Sequence, residues 1–183
     1  MTMPPQVQSP GSPDAARLRQ PLPFPAVELL RQMLLAREGD RREAIFMRQG
    51  KGWFQVSSMG HEALAALIYA LQPDDYLFTY YRGRALMLAK GVSSYQFALD
   101  FLARTGSTSE GRNMPAHLSV RDKNIFPVAT PTGAQCLPAC GAAWGLKRAG
   151  QGQMVLCTIG DAATRQGEFY EAVCFAVQEQ LPV

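Results

Sequence analysis

Apolar residues recur at helical spacing through much of the first half of the chain. A stripe that begins near Ala26 consists of Val27, Leu30, Met33 and Leu34. A second amphipathic stretch covers residues 41–47, so two early helices are expected. A third stripe covers residues 64–71, with Ser58 as its predicted N-cap. Two shorter helices, over residues 84–90 and 94–104, are each followed closely by a glycine.

The second half of the chain changes from an irregular segment to alternating helix and strand patterns. Residues 105–131 have no sustained period, and an irregular segment of this length is more often functional than idle. We then expect a helix of small residues over 134–149, a buried strand over 154–159 and a helix over 167–180. Residues 181–183 predict the entry to a second strand. This order predicts an α/β fold, with a parallel sheet flanked by helices.

Composition adds a boundary near the start of the chain. Seven of the 13 prolines lie in residues 1–25, which predicts an extended or disordered lead-in, because proline fixes φ and removes a backbone donor. Residues 26–183 are then one domain, or part of a larger one. With 47% hydrophobic and 18% charged residues in a chain of 183, this domain is expected to be soluble and globular.

Charge and special residues exclude several classes of partner. The net charge of +3 includes no run of five like charges, so no nucleic-acid or membrane partner is expected. The four cysteines lack paired spacing and predict reduced, buried thiols, and two distant histidines argue against a histidine-based metal cluster. The N-terminus lacks a signal-peptide pattern and no window is apolar enough to span a membrane, which favours a cytoplasmic protein.

One strand end carries candidate chemistry. Gly160 and Asp161 follow the predicted strand over 154–159, at the edge where ligands bind in open α/β sheets. Asp161 offers an oxygen ligand for magnesium, and the small residues Ala162 and Ala163 leave backbone N–H groups near a helix start for a phosphate. On this pattern alone, a turn capped by Asp161 is the favoured interpretation.

Longer motifs in a fixed order point to a family. They are Gly60-His61-Glu62-Ala63, Tyr80-Tyr81-Arg82-Gly83-Arg84, residues 111–117 (GRNMPAH), residues 131–135 (PTGAQ) and residues 160–172 (GDAATRQGEFYEA). Together they resemble the alpha subunit of the first, thiamine-diphosphate-dependent component of 2-oxo acid dehydrogenase complexes. The resemblance covers about residues 26–183, and residues 111–117 look more like the branched-chain enzymes than the pyruvate enzymes. It implies the N-terminal portion of a thiamine-diphosphate-binding α/β fold.

The resemblance assigns cofactor roles residue by residue. Tyr81 and Arg82 match the pair that binds the diphosphate, a role that suits a guanidinium because it can pair two phosphate oxygens at once. Asp161 matches the Mg²⁺ ligand. The remaining positions that match cofactor-binding residues are Thr130 and Thr132 beside the aminopyrimidine ring, and Gly160, Ala162 and Ala163 at the phosphate, where Ala162 replaces a second glycine.

The resemblance also proposes a catalytic histidine. His117 matches the histidine that faces the active site, where an imidazole could orient the substrate carboxylate or carry a proton. A loop histidine bonded to the backbone is the open alternative. His61, in a motif at a helix start, favours a structural role.

The implied activity is oxidative decarboxylation of a 2-oxo acid with acyl transfer to a lipoyl group. The implied partners are a beta subunit, or a fused beta domain, and a lipoyl-bearing acyltransferase component. The family signature closes with an Asn-Asn pair that is absent here, so the isolated chain is expected to be inactive. The alternative is a truncated, non-catalytic chain that retains only subunit-binding surface. An unrelated phosphate-binding module would show a G-x-x-x-x-G-K-[ST] loop, and none is present.

Overall fold

The computed structural model describes residues 25–183, so all of the predicted lead-in except Pro25 lies outside the described residues. Two strands and five α-helices, together with three 3₁₀ segments, make up the fold in this part of the chain. The strands are β1 (Tyr76–Phe78) and β2 (Val155–Cys157). The helices are α1 (Ala26–Arg48), α2 (Arg84–Ala89), α3 (Ser94–Phe101), α4 (Cys136–Ala149) and α5 (Gly167–Gln178), and the 3₁₀ segments are Glu62–Ala70, Arg121–Lys123 and Asp161–Arg165.

The sheet is parallel, which confirms the α/β class. Tyr76 pairs with Val155 and Phe78 with Cys157. The buried carboxylate of Asp75 accepts a hydrogen bond from Met154 N at 2.8 Å and so fixes the start of one strand to the start of the other. On the far side of β2, Val155 N donates to Pro182 O at 2.8 Å, where residues 181–183 were predicted to enter a strand.

Two apolar clusters cover the two faces of this sheet. Leu77 packs in a cluster with residues of α1, α2 and the Glu62–Ala70 segment, and Phe78 packs in a second cluster with α4 and α5. Successive side chains of a strand point to opposite faces, so a three-residue strand joins both clusters. The helices therefore flank the sheet on both sides, as the sequence pattern predicts.

The two early helices predicted separately are one continuous helix, α1. Gly39 and Asp40 lie between the two predicted stretches, and a single glycine inside a helix costs only about 1 kcal/mol. Gly39 also makes room for a neighbour, since a Cβ atom there would lie 2.5 Å from Nη1 of Arg84. The glycine thus admits a buried arginine and does not end the helix.

Two other local predictions are corrected. Ser58 does not cap a helix: its backbone N–H and hydroxyl both donate to Asp40, and the following segment is a 3₁₀ helix that begins at Glu62. α3 begins where predicted, with the side chain of Ser93 accepting from Gln96 N, but it ends at Phe101 because Ala103 takes a left-handed conformation.

The cysteines follow the prediction only in part. All four are free, and Cys136 and Cys140 are buried in the cluster beneath α4 and α5. Cys174 is exposed, on the outer side of α5, so the expectation of buried thiols is wrong for that residue. No helix within residues 25–183 combines the length and apolar character that crossing a membrane requires.

Candidate functional site

The carboxyl ends of β1 and β2 bring two distant segments together. The hydroxyls of Thr79 and Thr158 lie 2.9 Å apart, and Thr158 N donates to Phe78 O. The chain then continues into Tyr81 and Arg82 from one strand and into Asp161 from the other. Because parallel strands end at the same edge of a sheet, these residues meet around one depression.

That depression, which we call the strand-end cavity, has a volume of about 250 Å³. Seven of the predicted cofactor residues line it, namely Tyr81, Arg82, Thr132, Gly160, Asp161, Ala162 and Ala163. Residues that the sequence did not single out for the site also line it, including His61, Tyr80, Gly133 and Gln135. Tyr80 is placed by β1, which was not predicted, and Gln135 is placed by a hydrogen bond that its Nε2 donates to Thr158 O at 2.9 Å.

Arg82 is held in a defined orientation at the wall of the strand-end cavity. Its Nη1 donates to the carbonyl oxygen of Ser57 at 2.6 Å, and its Cζ lies 5.3 Å from the ring centroid of Tyr81. A guanidinium has five N–H donors, so this bond uses one of them and the planar fork remains available to an anion.

His61 and Tyr80 form a polar pair in the same cavity. The hydroxyl of Tyr80 lies 2.6 Å from Nδ1 of His61, and a Cβ atom at Gly160 would lie 4.0 Å from the ring of Tyr80. Burial raises the pKa of Tyr80 above its usual value of 10.0, so the phenol keeps its proton. His61, for which the sequence favours a structural role, thus also lines the strand-end cavity.

The turn after β2 differs from the predicted phosphate cradle. Ala163 N donates to Gly160 O at 3.0 Å, so that N–H group is already engaged. The segment Asp161–Arg165 is a 3₁₀ turn, and α5 begins only at Gly167. The prediction of free N–H groups at a helix start is therefore wrong for Ala163, and the positive charge at this cavity comes mainly from Arg82.

His117 lies beside the strand-end cavity and is buried, with 3% of its surface exposed. Its Nδ1 lies 2.9 Å from the carbonyl oxygen of Pro115, which can only accept, so Nδ1 carries a proton. Its Nε2 has no hydrogen-bond partner among the described residues. A catalytic role and a bond to the backbone are thus compatible for His117. The bond from Nδ1 to Pro115 O fixes the ring, and Nε2 has no partner among the described residues.

A second depression, the histidine cavity, adjoins the first and has a volume of about 270 Å³. His117 and Thr130 line it, so Thr130 lies there and not with Thr132 in the strand-end cavity. Tyr81 and Arg82 line both cavities. Three apolar side chains that were not among the predicted site residues complete much of the wall: Phe54, Val56 and Met114.

Asp161 is the candidate metal ligand of this site. Its carboxylate is exposed, and no group of three or more His, Cys, Asp or Glu residues able to hold a metal occurs in the described part of the chain. This donor set suits Mg²⁺ better than a transition metal, because Mg²⁺ is commonly held by one or two carboxylates together with phosphate oxygens and water.

The fold and the site define an α/β protein whose candidate site lies beyond the carboxyl ends of parallel strands and is lined by a guanidinium, a phenol and a carboxylate. The chain belongs to the dehydrogenase E1 component family, whose model matches residues 30–183. The resemblance drawn from the ordered motifs is thereby confirmed. Thiamine diphosphate is the cofactor that this family implies.

Relatives among characterised proteins agree with this family. The chain is 32% identical over 161 residues to the alpha subunit of 2-oxoisovalerate dehydrogenase from Bacillus subtilis (strain 168), a match covering 86% of this chain and 49% of that protein. It is 31% identical over 156 residues to the pyruvate dehydrogenase E1 component subunit alpha of the same bacterium, covering 85% and 40%. A mitochondrial 2-oxoisovalerate dehydrogenase subunit alpha 1 from Arabidopsis thaliana is 30% identical over 159 residues, covering 86% and 34%. The chain spans about half the length of these relatives, or less.

Proposed function

We propose that this chain supplies the alpha side of a thiamine-diphosphate-dependent 2-oxo acid dehydrogenase. The reaction is oxidative decarboxylation of a 2-oxo acid with transfer of the acyl group to a lipoyl arm. The observation that carries the proposal is the meeting of Tyr81, Arg82 and Asp161 in one cavity at the carboxyl ends of β1 and β2, in a member of this family.

The donors at the strand-end cavity fit a magnesium diphosphate. Arg82 and Tyr81 would hold phosphate oxygens, and Asp161 would hold Mg²⁺. Thr132, Gly160, Ala162 and Ala163 would form the wall around the group, with Thr130 at the boundary to the histidine cavity. When bound, thiamine diphosphate supplies an electron sink for the bond that releases carbon dioxide.

The histidine cavity fits the 2-oxo acid. Phe54, Val56 and Met114 offer an apolar wall for the side chain of the substrate, which favours a branched or otherwise bulky 2-oxo acid over a small one. The buried Nε2 of His117 would bond an oxygen of the substrate or move a proton, because its other nitrogen is engaged with Pro115 O.

An apolar face of α5 is exposed in this part of the chain. Tyr170, Val173 and Val177 are exposed by 57%, 46% and 72%, in a chain that spans half or less of the length of its relatives. The proposed partners are a beta subunit or a fused beta domain, and a lipoyl-bearing acyltransferase component that would accept the acyl group.

The test is binding of the cofactor by the protein expressed from the full reading frame that contains these residues, purified with the subunits that accompany it. Thiamine diphosphate should bind in the presence of Mg²⁺ and much more weakly in its absence, as titration calorimetry would measure. Asp161→Ala should abolish this dependence on Mg²⁺ and the decarboxylation of 2-oxo acids. An Asp161→Ala protein with unchanged activity and unchanged Mg²⁺ dependence would refute the proposal.

A further inference from the structure

A buried acid in the middle of α1 is hydrogen-bonded to the segment that contacts Arg82. Asp40 is completely buried, and its Oδ2 accepts three hydrogen bonds from two successive residues. Ser58 N donates at 2.6 Å, Ser58 Oγ at 2.9 Å and Ser57 Oγ at 3.2 Å. The carbonyl oxygen of Asp40 also accepts a bond from Gln55 Nε2 at 2.7 Å. Residues 55–58 are thereby fixed to α1.

The same segment reaches the candidate site on its other side. Ser57 O accepts the bond from Arg82 Nη1 at 2.6 Å, and Gln55 and Val56 line the histidine cavity. Asp40 is therefore linked to the guanidinium of Arg82 through a single residue. Asp40 itself lines neither cavity.

A buried carboxylate at position 40 is not explained by stability alone. Burying a charge costs several kcal/mol per ion, and replacing a buried ion pair by apolar side chains of similar volume is often neutral or stabilising. Asp40 offsets part of this cost through Arg84, whose Nη1 lies 3.3 Å from its Oδ1. What an apolar residue could not supply is one acceptor for three donors that converge from Ser57 and Ser58.

We infer that Asp40 is a positioning residue that fixes the Ser57 carbonyl oxygen and, through it, the guanidinium of Arg82 for the diphosphate of the cofactor. The inference rests on the proposed function, since it assigns the anion at Arg82. Without the hydrogen bonds from Ser57 and Ser58 to Asp40, residues 55–58 and the Arg82 side chain gain conformational freedom. Part of the binding free energy of the cofactor is then used to order Arg82.

Glu43 provides a matched control for this inference. It belongs to the same buried cluster, where it pairs with Nη2 of Arg84, but it has no bond to residues 55–58. Glu43→Gln therefore changes the same cluster but leaves the hydrogen bonds from Ser57 and Ser58 to Asp40 in place. Asp40→Ala should raise the Kd for thiamine diphosphate by about tenfold or more, whereas Glu43→Gln should leave it within about twofold. In Asp40→Asn, where a side-chain oxygen can still accept from Ser58 N, part of the affinity should return.

A double-mutant cycle identifies the route. If Asp40 acts through Arg82, Asp40→Ala should add less than about twofold to the Kd of an Arg82→Ala protein, because the two changes remove one shared interaction. Turnover at saturating cofactor should fall much less than cofactor affinity, since the lost interaction concerns binding. If Asp40→Ala does not fold, the pair Ser57→Ala and Ser58→Ala removes two of the three bonds, and a smaller rise in Kd is expected.

The outcomes distinguish a failure of the proposed function from a failure of the positioning role of Asp40. Failure of the wild-type protein to bind thiamine diphosphate would refute the proposed function itself. Normal binding by the wild type together with an unchanged Kd in folded Asp40→Ala, or an additive cycle with Arg82→Ala, would overturn the positioning role alone. An equal rise in Kd for Glu43→Gln would also overturn it, because the effect would then be a general one of the buried cluster.

Discussion

The ring of Tyr81 stacks on the imidazole of His117, with centroids 5.7 Å apart and planes inclined by 28°. Tyr81 belongs to the wall of both cavities, so this contact joins the residue proposed to bind the diphosphate to the residue proposed to meet the substrate. Displacement of one ring therefore disturbs the other. A substitution of His117 should therefore introduce a planar polar group, such as the amide of asparagine, so that Tyr81 is disturbed as little as possible.

His117→Asn should reduce decarboxylation while leaving cofactor binding intact. An asparagine can still donate to Pro115 O, but it lacks the nitrogen that could exchange a proton, and general acid–base groups contribute about 10²- to 10⁴-fold. We expect kcat/KM for the 2-oxo acid to fall by about 100-fold or more, with the Kd for thiamine diphosphate within about threefold of the wild type. Steady-state kinetics and titration calorimetry measure the two quantities. Full activity in His117→Asn would refute the catalytic role and would leave only a structural role, the hydrogen bond to Pro115 O.

Arg82→Lys should weaken cofactor binding although it preserves the charge. A lysine ammonium cannot bond two phosphate oxygens in a planar fork, nor can it bond Ser57 O in the same geometry. The Kd for thiamine diphosphate should rise by about tenfold. Arg112→Lys is the control, because Arg112 is exposed and its one ion pair within residues 25–183 is with Glu110 at 3.4 Å. Equal effects of the two substitutions would mean that bulk positive charge, and not the position of Arg82, decides binding.

Glu43 should make the stability of the protein fall as the pH rises towards neutrality. Burial raises the pKa of Glu43 to about 7 from 4.5, although Arg84 opposes the shift, and the acids Asp40 and Asp100 reinforce it. The folded state therefore holds a proton that the unfolded state releases near pH 4.5, and up to about 3 kcal/mol is lost as the pH rises from about 4.5 through 7.

Glu43→Gln removes this titration. Urea denaturation at pH 5.5 and at pH 8 should show that the wild type loses more free energy of unfolding over this interval than the variant does. Carboxylates elsewhere affect both proteins alike, so the difference between them isolates Glu43. Parallel pH profiles for wild type and variant would contradict the prediction.

Gly83→Ala should destabilise the protein and impair the site together. A Cβ atom at Gly83 would lie 2.0 Å from Thr79 Oγ1 and 3.0 Å from the backbone oxygen of Tyr80, at the turn between β1 and α2. We expect a loss of about 1–3 kcal/mol in the free energy of unfolding. Gly145→Ala is the control, because this glycine lies in α4, and outside its own helix backbone no atom of the described residues lies within 4 Å of its Cβ position. This variant should gain up to about 1 kcal/mol. Similar melting temperatures for both variants would count against the steric argument.

Local signals in the sequence predict the second half of the fold well. Small residues and the flanking glycines place α4 and β2 close to their observed positions, and the Gly160-Asp161 pair lies at the carboxyl end of β2 as expected. These features depend on neighbours in the chain. The predicted cofactor and catalytic residues likewise line two adjoining cavities, although their individual roles stay predictions.

Features that depend on distant contacts were not predictable in the same way. β1 has only three residues in a run of apolar and aromatic side chains, so it has no period, and its identity as a strand depends on pairing with β2. Ser58 has the composition of an N-cap, but the buried carboxylate of Asp40 is 18 residues away in sequence and claims both of its donors. The apolar wall of the histidine cavity comes from separate loops, which no local pattern relates.

The parallel pairing of β1 with β2 has a consequence for the order of folding. The hydroxyls of Thr79 and Thr158, which meet at the strand ends, are 79 residues apart in sequence, and such remote contacts are slow to form because a long loop must close first. Tyr81 and Arg82 lie on one side of that closure, and Asp161 lies on the other. A nascent chain thus has no site for the diphosphate until synthesis has passed Asp161, and the cofactor can stabilise only molecules that have completed this step.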